Sequence, residues 1–427
     1  MSQTILPNLS DLLASIDQHD VPVEIIQQVI ARCITPLSDT ETLPLKQTLG
    51  RVLAQDVISP INVPSYDNSA MDGYAFIATD LSDTSAKLNV VGKAYAGHPY
   101  LNEVRSGECV RIMTGAAIPR GCDTVIAQEL VSDATDSHIS IATSKVNAGD
   151  NRRLAGEDLR SGSVALRKGK RLSPADIGLL ASLGIADIAV IRRPRVAFFS
   201  TGDELRSIGQ ALDEGCVYDS NRYTLHSMLV RAQCEPIDMG VVKDDPASLE
   251  TALREACAQA DVIITTGGVS AGDADYTRQM MARLGEVLFC KIAMRPGRPM
   301  AFGKIHCDGR SALLFGLPGN PVAVMATFYF LARDAIYQLM GTKPHTQTLL
   351  KVVSTHAIRK KPGRTEYQRG ILSTNTSGKQ QVTLTGAQGS GILSSMSEAN
   401  CMVVLDHDQN DVAAGELVSV LAFDGFI

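Results

Sequence analysis

The stretch Asp261-Val-Ile-Ile-Thr-Thr-Gly-Gly-Val-Ser-Ala-Gly-Asp-Ala-Asp-Tyr-Thr277 passes from an apolar run through a glycine-rich loop into a helical pattern. Val262 to Ile264 predicts a buried strand, and a helix is expected from Tyr276 toward Leu284. Gly267, Gly268 and Gly272 allow a tight turn between them. A strand, a glycine loop and a helix in this order present backbone N–H groups to a phosphate at a helix N-terminus. An ordinary βα turn uses glycines in the same way, so the stretch alone leaves both readings open. Ser270, Asp273 and Asp275 add oxygen donors for a ligand or a metal.

The flanking sequence favours a site. From Arg195 onward, expected strands at Val196 to Phe199, Pro236 to Val242, Val262 to Thr265 and Val287 to Phe289 alternate with helices near Arg222 to Arg231, Ser248 to Gln259 and Tyr276 to Leu284. A further strand, Ala312 to Phe315, leads into a long helix after Pro321. This rhythm predicts a doubly wound α/β domain, whose ligands bind beyond the carboxyl ends of the strands. Four such ends carry distinctive residues: Ser200-Thr-Gly-Asp-Glu204, Lys243-Asp-Asp-Pro246, the glycine loop, and Gly316-Leu-Pro-Gly-Asn-Pro321. Any one acid among them serves equally well as a cap. Together Asp203, Glu204, Asp244 and Asp275 would converge on one rim and repel unless a cation sits among them. Mg²⁺ with a phosphorylated ligand is the natural occupant. Lys291-Ile-Ala-Met-Arg-Pro-Gly-Arg298 adds three cations on a loop stiffened by Pro296 and Pro299, which suits an anionic substrate.

A chain of 427 residues exceeds one core, so at least three domains are expected. Forty basic against 46 acidic side chains give a net charge of −6, which argues against a nucleic-acid partner. Nine cysteines without a Cys-x-x-Cys pair read as small apolar residues of a reducing compartment, and eight histidines show no zinc-ligand spacing. No signal peptide is visible, and the uncharged run Ser311 to Ala332 is broken by Pro318, Gly319, Asn320 and Pro321. A cytoplasmic protein with no membrane contact is expected. Helices are expected over residues 1 to 35 and around Leu49 to Leu53. Short strands at Leu88 to Val91, Cys109 to Met113, Thr124 to Glu129 and His138 to Thr143 predict an all-β module. Ser173-Pro-Ala-Asp176 is a helix start, Gly184 its stop, and Arg192-Arg193-Pro194 a boundary. After a linker from Gly341 to Gln347, five short strands between Leu349 and Ala422 predict a small β-barrel.

Across nearly the whole chain, motifs resemble those of the molybdopterin molybdenumtransferase family, to which the gephyrin C-terminal domain is related. They are Asp67-Asn-Ser-Ala-Met-Asp-Gly-Tyr74, Met113-Thr-Gly-Ala116, Arg153-Leu-Ala-Gly-Glu-Asp158, Ser200-Thr-Gly-Asp-Glu204, Tyr218-Asp-Ser-Asn-Arg222, Thr266-Gly-Gly-Val-Ser-Ala-Gly272 with Asp275-Tyr-Thr277, and Leu317-Pro-Gly-Asn-Pro321. The resemblance implies a discontinuous elongated helical and dimerisation domain (1–59 plus 160–191), an inserted β module (60–159), a molybdopterin-binding α/β domain (192–343) and a C-terminal β-barrel (344–427). It implies insertion of molybdate into adenylyl-molybdopterin with Mg²⁺-dependent release of AMP, in a homodimer whose cleft is shared between subunits. Glu204, Asp244 and Asp275 would be catalytic acids around the metal, and Asp72 and Asp158 would complete the cleft with Thr114 and Arg153. Asp203, Gly267, Gly268, Ser270, Pro318 and Pro321 would line the pocket. Lys291, Arg295 and Arg298 would attract molybdate and the pterin phosphate, and Arg369 and Ser390 would add an oxyanion site on the barrel. Relatives often carry Lys at the positions of Arg295 and Arg298, and Ser at that of Ala323. Transient contacts with the preceding adenylyltransferase and with downstream molybdoenzyme chaperones are implied. A non-catalytic scaffold and a molybdopterin adenylyltransferase are the alternative readings.

Overall fold

A computed structural model describes residues 19–81, 85–268, 276–342 and 347–427. Of the helical stretch expected over residues 1 to 35, residues 1–18 lie outside the described residues, as do Ser270, Gly272, Asp273 and Asp275, and Val23–Cys33 is helical. The chain divides into two compact units. One comprises residues 42–49 and 53–190, and the other the described residues up to 41, 50–52 and 191–427.

The second unit is built on a mixed six-stranded sheet. Its strands are β1 (Arg195–Thr201), β2 (Glu235–Val242), β3 (Val262–Thr266), β4 (Gly285–Lys291), β6 (Pro299–Cys307) and β7 (Arg310–Leu317), with the two-residue β5 (Met294–Arg295) between β4 and β6. Spatial order is β2-β1-β3-β7-β6-β4. The β2, β1, β3 and β7 strands are parallel, whereas β6 runs antiparallel to both neighbours. Every residue of β3 is buried, which is why it reads as an unbroken apolar run in place of an alternation. Helices α2 (Ser220–Arg231), α3 (Pro246–Gln259) and α4 (Tyr276–Leu284) complete the crossovers. Leu253 and Cys257 of α3 and Met281 of α4 pack on Phe199, Ile263 and Leu314. The doubly wound expectation holds. The antiparallel strand β6 was not among the expected strands.

After β7 one continuous helix runs through α5 (Pro321–Thr327), a π-helical turn (Phe328–Ala332) and α6 (Arg333–Leu339). The π turn is a joint: Phe330 stacks on Tyr367 at 3.9 Å, and Gln27 of α1 (Val23–Cys33) donates to its carbonyl. Beyond it, β8 (Leu350–Ser354), β9 (Thr365–Thr374), β10 (Gln380–Leu384), β11 (Cys401–Leu405) and β12 (Leu417–Ala422) close into the expected barrel, with the short α7 (Leu393–Glu398) between β10 and β11. At its start β9 also pairs in parallel with β5, Met294 opposite Thr365 and Arg295 opposite Glu366.

In the other unit, the strands Thr124–Ala127, Gly73–Phe76, Glu108–Ile112, Ser85–Ala94, His138–Ala142 and Val131–Ser132 lie side by side in that order. Val57–Ile58 pairs with Val164–Leu166, so segments separated by the whole module meet. The expected helix around Leu49 to Leu53 is absent. Gly50 adopts φ +75° there, a turn conformation that ends any helix, and Leu53 instead bridges to Val190. The α-helix of this unit is Pro174–Ser182, opened by a reciprocal capping box between Ser173 and Asp176. Ser173→Ala is expected to cost about 1 kcal/mol, read as a lower urea midpoint. No described helix is long and apolar enough to cross a membrane.

Candidate functional site

The order β2-β1-β3 places the topological switch between β1 and β3, where the connections depart to opposite sides. Loops from three strand ends meet there. Thr266 donates through its hydroxyl to Ser200 at 2.9 Å, and the Gly267 amide donates to the Leu317 carbonyl at 3.2 Å. Asn221, at the start of α2, donates to the Gly319 carbonyl at 2.7 Å. Gly268 sits at φ +63°, and a Cβ there would lie 2.3 Å from Thr277 Oγ1, so only glycine fits. Pro318 lies in the loop after β7, and Pro321 is the first residue of α5.

The acids divide by role. Asp245 caps α3, accepting from the Ser248 amide at 2.9 Å. Its neighbour Asp244 has no such use. Burial, then the nearby charges of Asp203 and Glu204, push the Asp244 carboxyl above the usual aspartate range. The Thr277 hydroxyl faces it and pulls the other way, without reaching hydrogen-bond geometry. Asp244 Oδ1, Thr201 Oγ1, Thr265 Oγ1 and Thr277 Oγ1 are buried with no partner among the described residues. Asp244 Oδ1 and the unused hydroxyls are hard oxygen donors, the chemistry that Mg²⁺ takes, and the charges of Asp203 and Glu204 lie nearby. Among the described residues no three acids, imidazoles or thiols close a metal site unaided. The third implied ligand, Asp275, and the implied pocket residue Ser270 lie outside the described residues.

The three cations of the expected basic loop have different surroundings. Arg298 pairs with Asp20 at 2.7 Å, and Lys291 ends β4. Arg295 instead turns to a cavity of about 330 Å³ between the sheet domain and the barrel, lined also by Arg359, Glu366, Gln368, Arg369 and Gln388. Arg369 is 1% exposed. Its guanidinium donates to the carbonyls of Ala387, Gln388 and Gly389 at 3.3, 3.2 and 2.9 Å and to the Ser395 hydroxyl at 3.0 Å. Burial, and then Arg295, lower its pKa. No carboxylate pairs with it among the described residues. The loop it holds reaches α5, where the Ser390 carbonyl accepts from the Val322 amide at 3.0 Å. Arg359 and Glu366 carried no sequence signal: Arg359 opens the basic turn Arg359-Lys-Lys-Pro362, and Glu366 begins a strand.

The remaining expected residues belong to the other unit. There the Asn68–Ser69 strand lies between Gly115–Ala117 and Arg152–Arg153. Asp72 accepts from both the amide and the hydroxyl of Thr114 at 2.7 Å, bonds that hold its pKa below the usual range. Asp67 pairs with Arg152 and accepts from the Ala155 amide at 2.7 Å. Arg153 is exposed on this surface, and the Asp158 amide donates to the Val63 carbonyl at 3.1 Å.

Three family models match. Residues 21–184 match the MoeA N-terminal region (domain I and II), residues 197–338 a probable molybdopterin binding domain, and residues 351–423 the MoeA C-terminal region (domain IV). A molybdopterin molybdenumtransferase of Haemophilus influenzae is 44% identical over 91% of this chain and 95% of its own. One from Bacillus subtilis is 34% identical over 90% of each chain. The crystal structure of a molybdopterin biosynthesis moeA protein from Pyrococcus horikoshii superposes with a TM-score of 0.80 at 29% identity, covering 95% of this chain and all of that one. With its three matched regions spanning both units, the chain belongs to the molybdopterin molybdenumtransferase family of enzymes.

Proposed function

We propose that the protein inserts molybdate into adenylyl-molybdopterin and releases AMP in a Mg²⁺-dependent step. One observation carries this reading: a buried, unpartnered Asp244 oxygen beside Asp203 and Glu204, at the switch point of a phosphate-type glycine loop. Glu204 and Asp244, with Asp275, would hold Mg²⁺. When bound, the ion supplies positive charge to the phosphoanhydride oxygens. The Gly267 and Gly268 backbone and the Thr201 and Thr277 hydroxyls orient the phosphates, and the acids position water for cleavage. Arg295 and the cavity it lines receive molybdate before transfer to the dithiolene.

In this reading the chain works in the cytoplasm as a homodimer. The surface carrying Asp72, Thr114, Arg153 and Asp158 faces the cleft of the partner subunit. The domain bounds are those implied by the motifs: 1–59 with 160–191, 60–159, 192–343 and 344–427. Transient contacts with the preceding adenylyltransferase and with downstream molybdoenzyme chaperones complete this reading.

The test is AMP release from adenylyl-molybdopterin, with molybdate and Mg²⁺ present and then each omitted. Release that needs both is expected. No release from a folded protein that binds the pterin would replace the enzyme reading with a scaffold. Pyrophosphate release from ATP would instead assign the preceding adenylylation.

A further inference from the structure

The cavity at the joint of sheet domain and barrel has an unusual charge arrangement. Three guanidinium groups, Arg295, Arg359 and Arg369, and one carboxylate, Glu366, line it. Arg369 is fixed in the wall, with four of its five N–H donors engaged by carbonyls and Ser395. It contributes mainly field, with at most one N–H to spare. Arg359 is the opposite: it is exposed, with no hydrogen-bond or ion-pair partner among the described residues, so its planar fork is free to grip an oxyanion. Arg295 lies between these extremes. Its side chain is 62% exposed, and its guanidinium rests 3.7 Å from the carboxylate of Glu366, a side chain only 8% exposed. Glu366 is held in turn by Gln368, whose amide donates to its other oxygen at 2.9 Å.

We propose that Arg359 is a direct oxyanion ligand of this cavity, and that Glu366 is a built-in competitor that holds Arg295 until a dianion displaces it. This deepens the molybdate reading given above and rests on it. Three cations and one anion leave a formal charge of +2, matched by one tetrahedral dianion. Glu366 weakens the grip on that dianion. An enzyme that must pass its oxyanion onward needs fast release more than tight capture. The carboxylate therefore acts as a positioning residue, and Arg359 as a specificity residue.

The test is isothermal titration of the full-length protein with molybdate, repeated with sulfate and with the monoanion nitrate. Arg359→Ala is expected to weaken molybdate binding roughly tenfold and nitrate binding less, with partial rescue by Arg359→Lys. Glu366→Gln is expected to tighten molybdate binding roughly threefold to tenfold, through a slower off-rate. Circular dichroism of each variant confirms folding. If wild type binds molybdate and Arg295→Ala abolishes binding while both new variants bind like wild type, the roles of Arg359 and Glu366 are overturned and the oxyanion cavity stands. If wild type shows no saturable binding and Arg295→Ala changes nothing, the oxyanion cavity falls and this inference falls with it.

Discussion

Asp244→Asn is expected to lower AMP release by on the order of a hundredfold to a thousandfold while leaving the protein as stable as wild type or more so. The two effects share one cause. Burial and the charges of Asp203 and Glu204 raise the Asp244 pKa, so the folded state holds its proton more tightly than the unfolded chain does. For a raised carboxyl, the linked stability is full in acid and is lost as pH rises through the folded pKa. The asparagine keeps the shape and removes that loss. Its thermal advantage should therefore grow as pH rises through the aspartate titration and vanish in acid, where Asp244 is protonated in both states. A variant equally stable at every pH but inactive would leave the cation role standing and remove the like-charge account. A fully active variant would remove Asp244 from the site. A destabilised, inactive one would mean that Asp244 serves structure. Residues kept at the expense of stability are the mark of a functional site.

Arg369→Ala is expected to cost about 3 kcal/mol, a loss of fold first and of anion binding only second. The side chain is fully buried, and its removal takes the donor from the Ala387 and Gln388 carbonyls and one of two bonds from Gly389 and Ser395. Arg369→Lys should recover little, because an ammonium cannot reproduce the planar fork. Hydrogen exchange should localise the damage to residues 387–390 and to the Val322 amide, which donates to Ser390. Undiminished protection there, with oxyanion binding lost, would return Arg369 to the role of direct ligand.

The contrast between these two residues shows what the sequence made legible. The β3 strand was readable because a buried parallel strand needs an uninterrupted apolar run, and Val262 to Ile264 supplies one. Asp203, Glu204 and Asp244 were readable as neighbours because the α/β rhythm places the ends of β1 and β2 on one edge. Of the adjacent pair after β2 the sequence pointed to Asp244, and the Ser248 amide makes Asp245 the helix cap. Arg369 gave no local signal, because its carbonyl partners lie 18 to 20 residues further on. The β6 strand was missed for a similar reason. It opens on proline and carries Gly303 and Lys304, and it owes its place to neighbours on both sides. Around Leu49 to Leu53, apolar spacing suggested a helix that Gly50 forbids.

The two-residue ladder between β5 and β9 ties the backbone of Arg295 to that of Glu366, and the Thr365 amide adds a bond to Ala293 at 2.9 Å. Two walls of the anion cavity are thus one piece of sheet. If the barrel swings, the arginine travels with it, and the mouth of the cavity keeps its width. On the proposed reading, oxyanion traffic would be metered by side chains exchanging partners on a stiff frame, and a cross-link between barrel and sheet domain would leave it running.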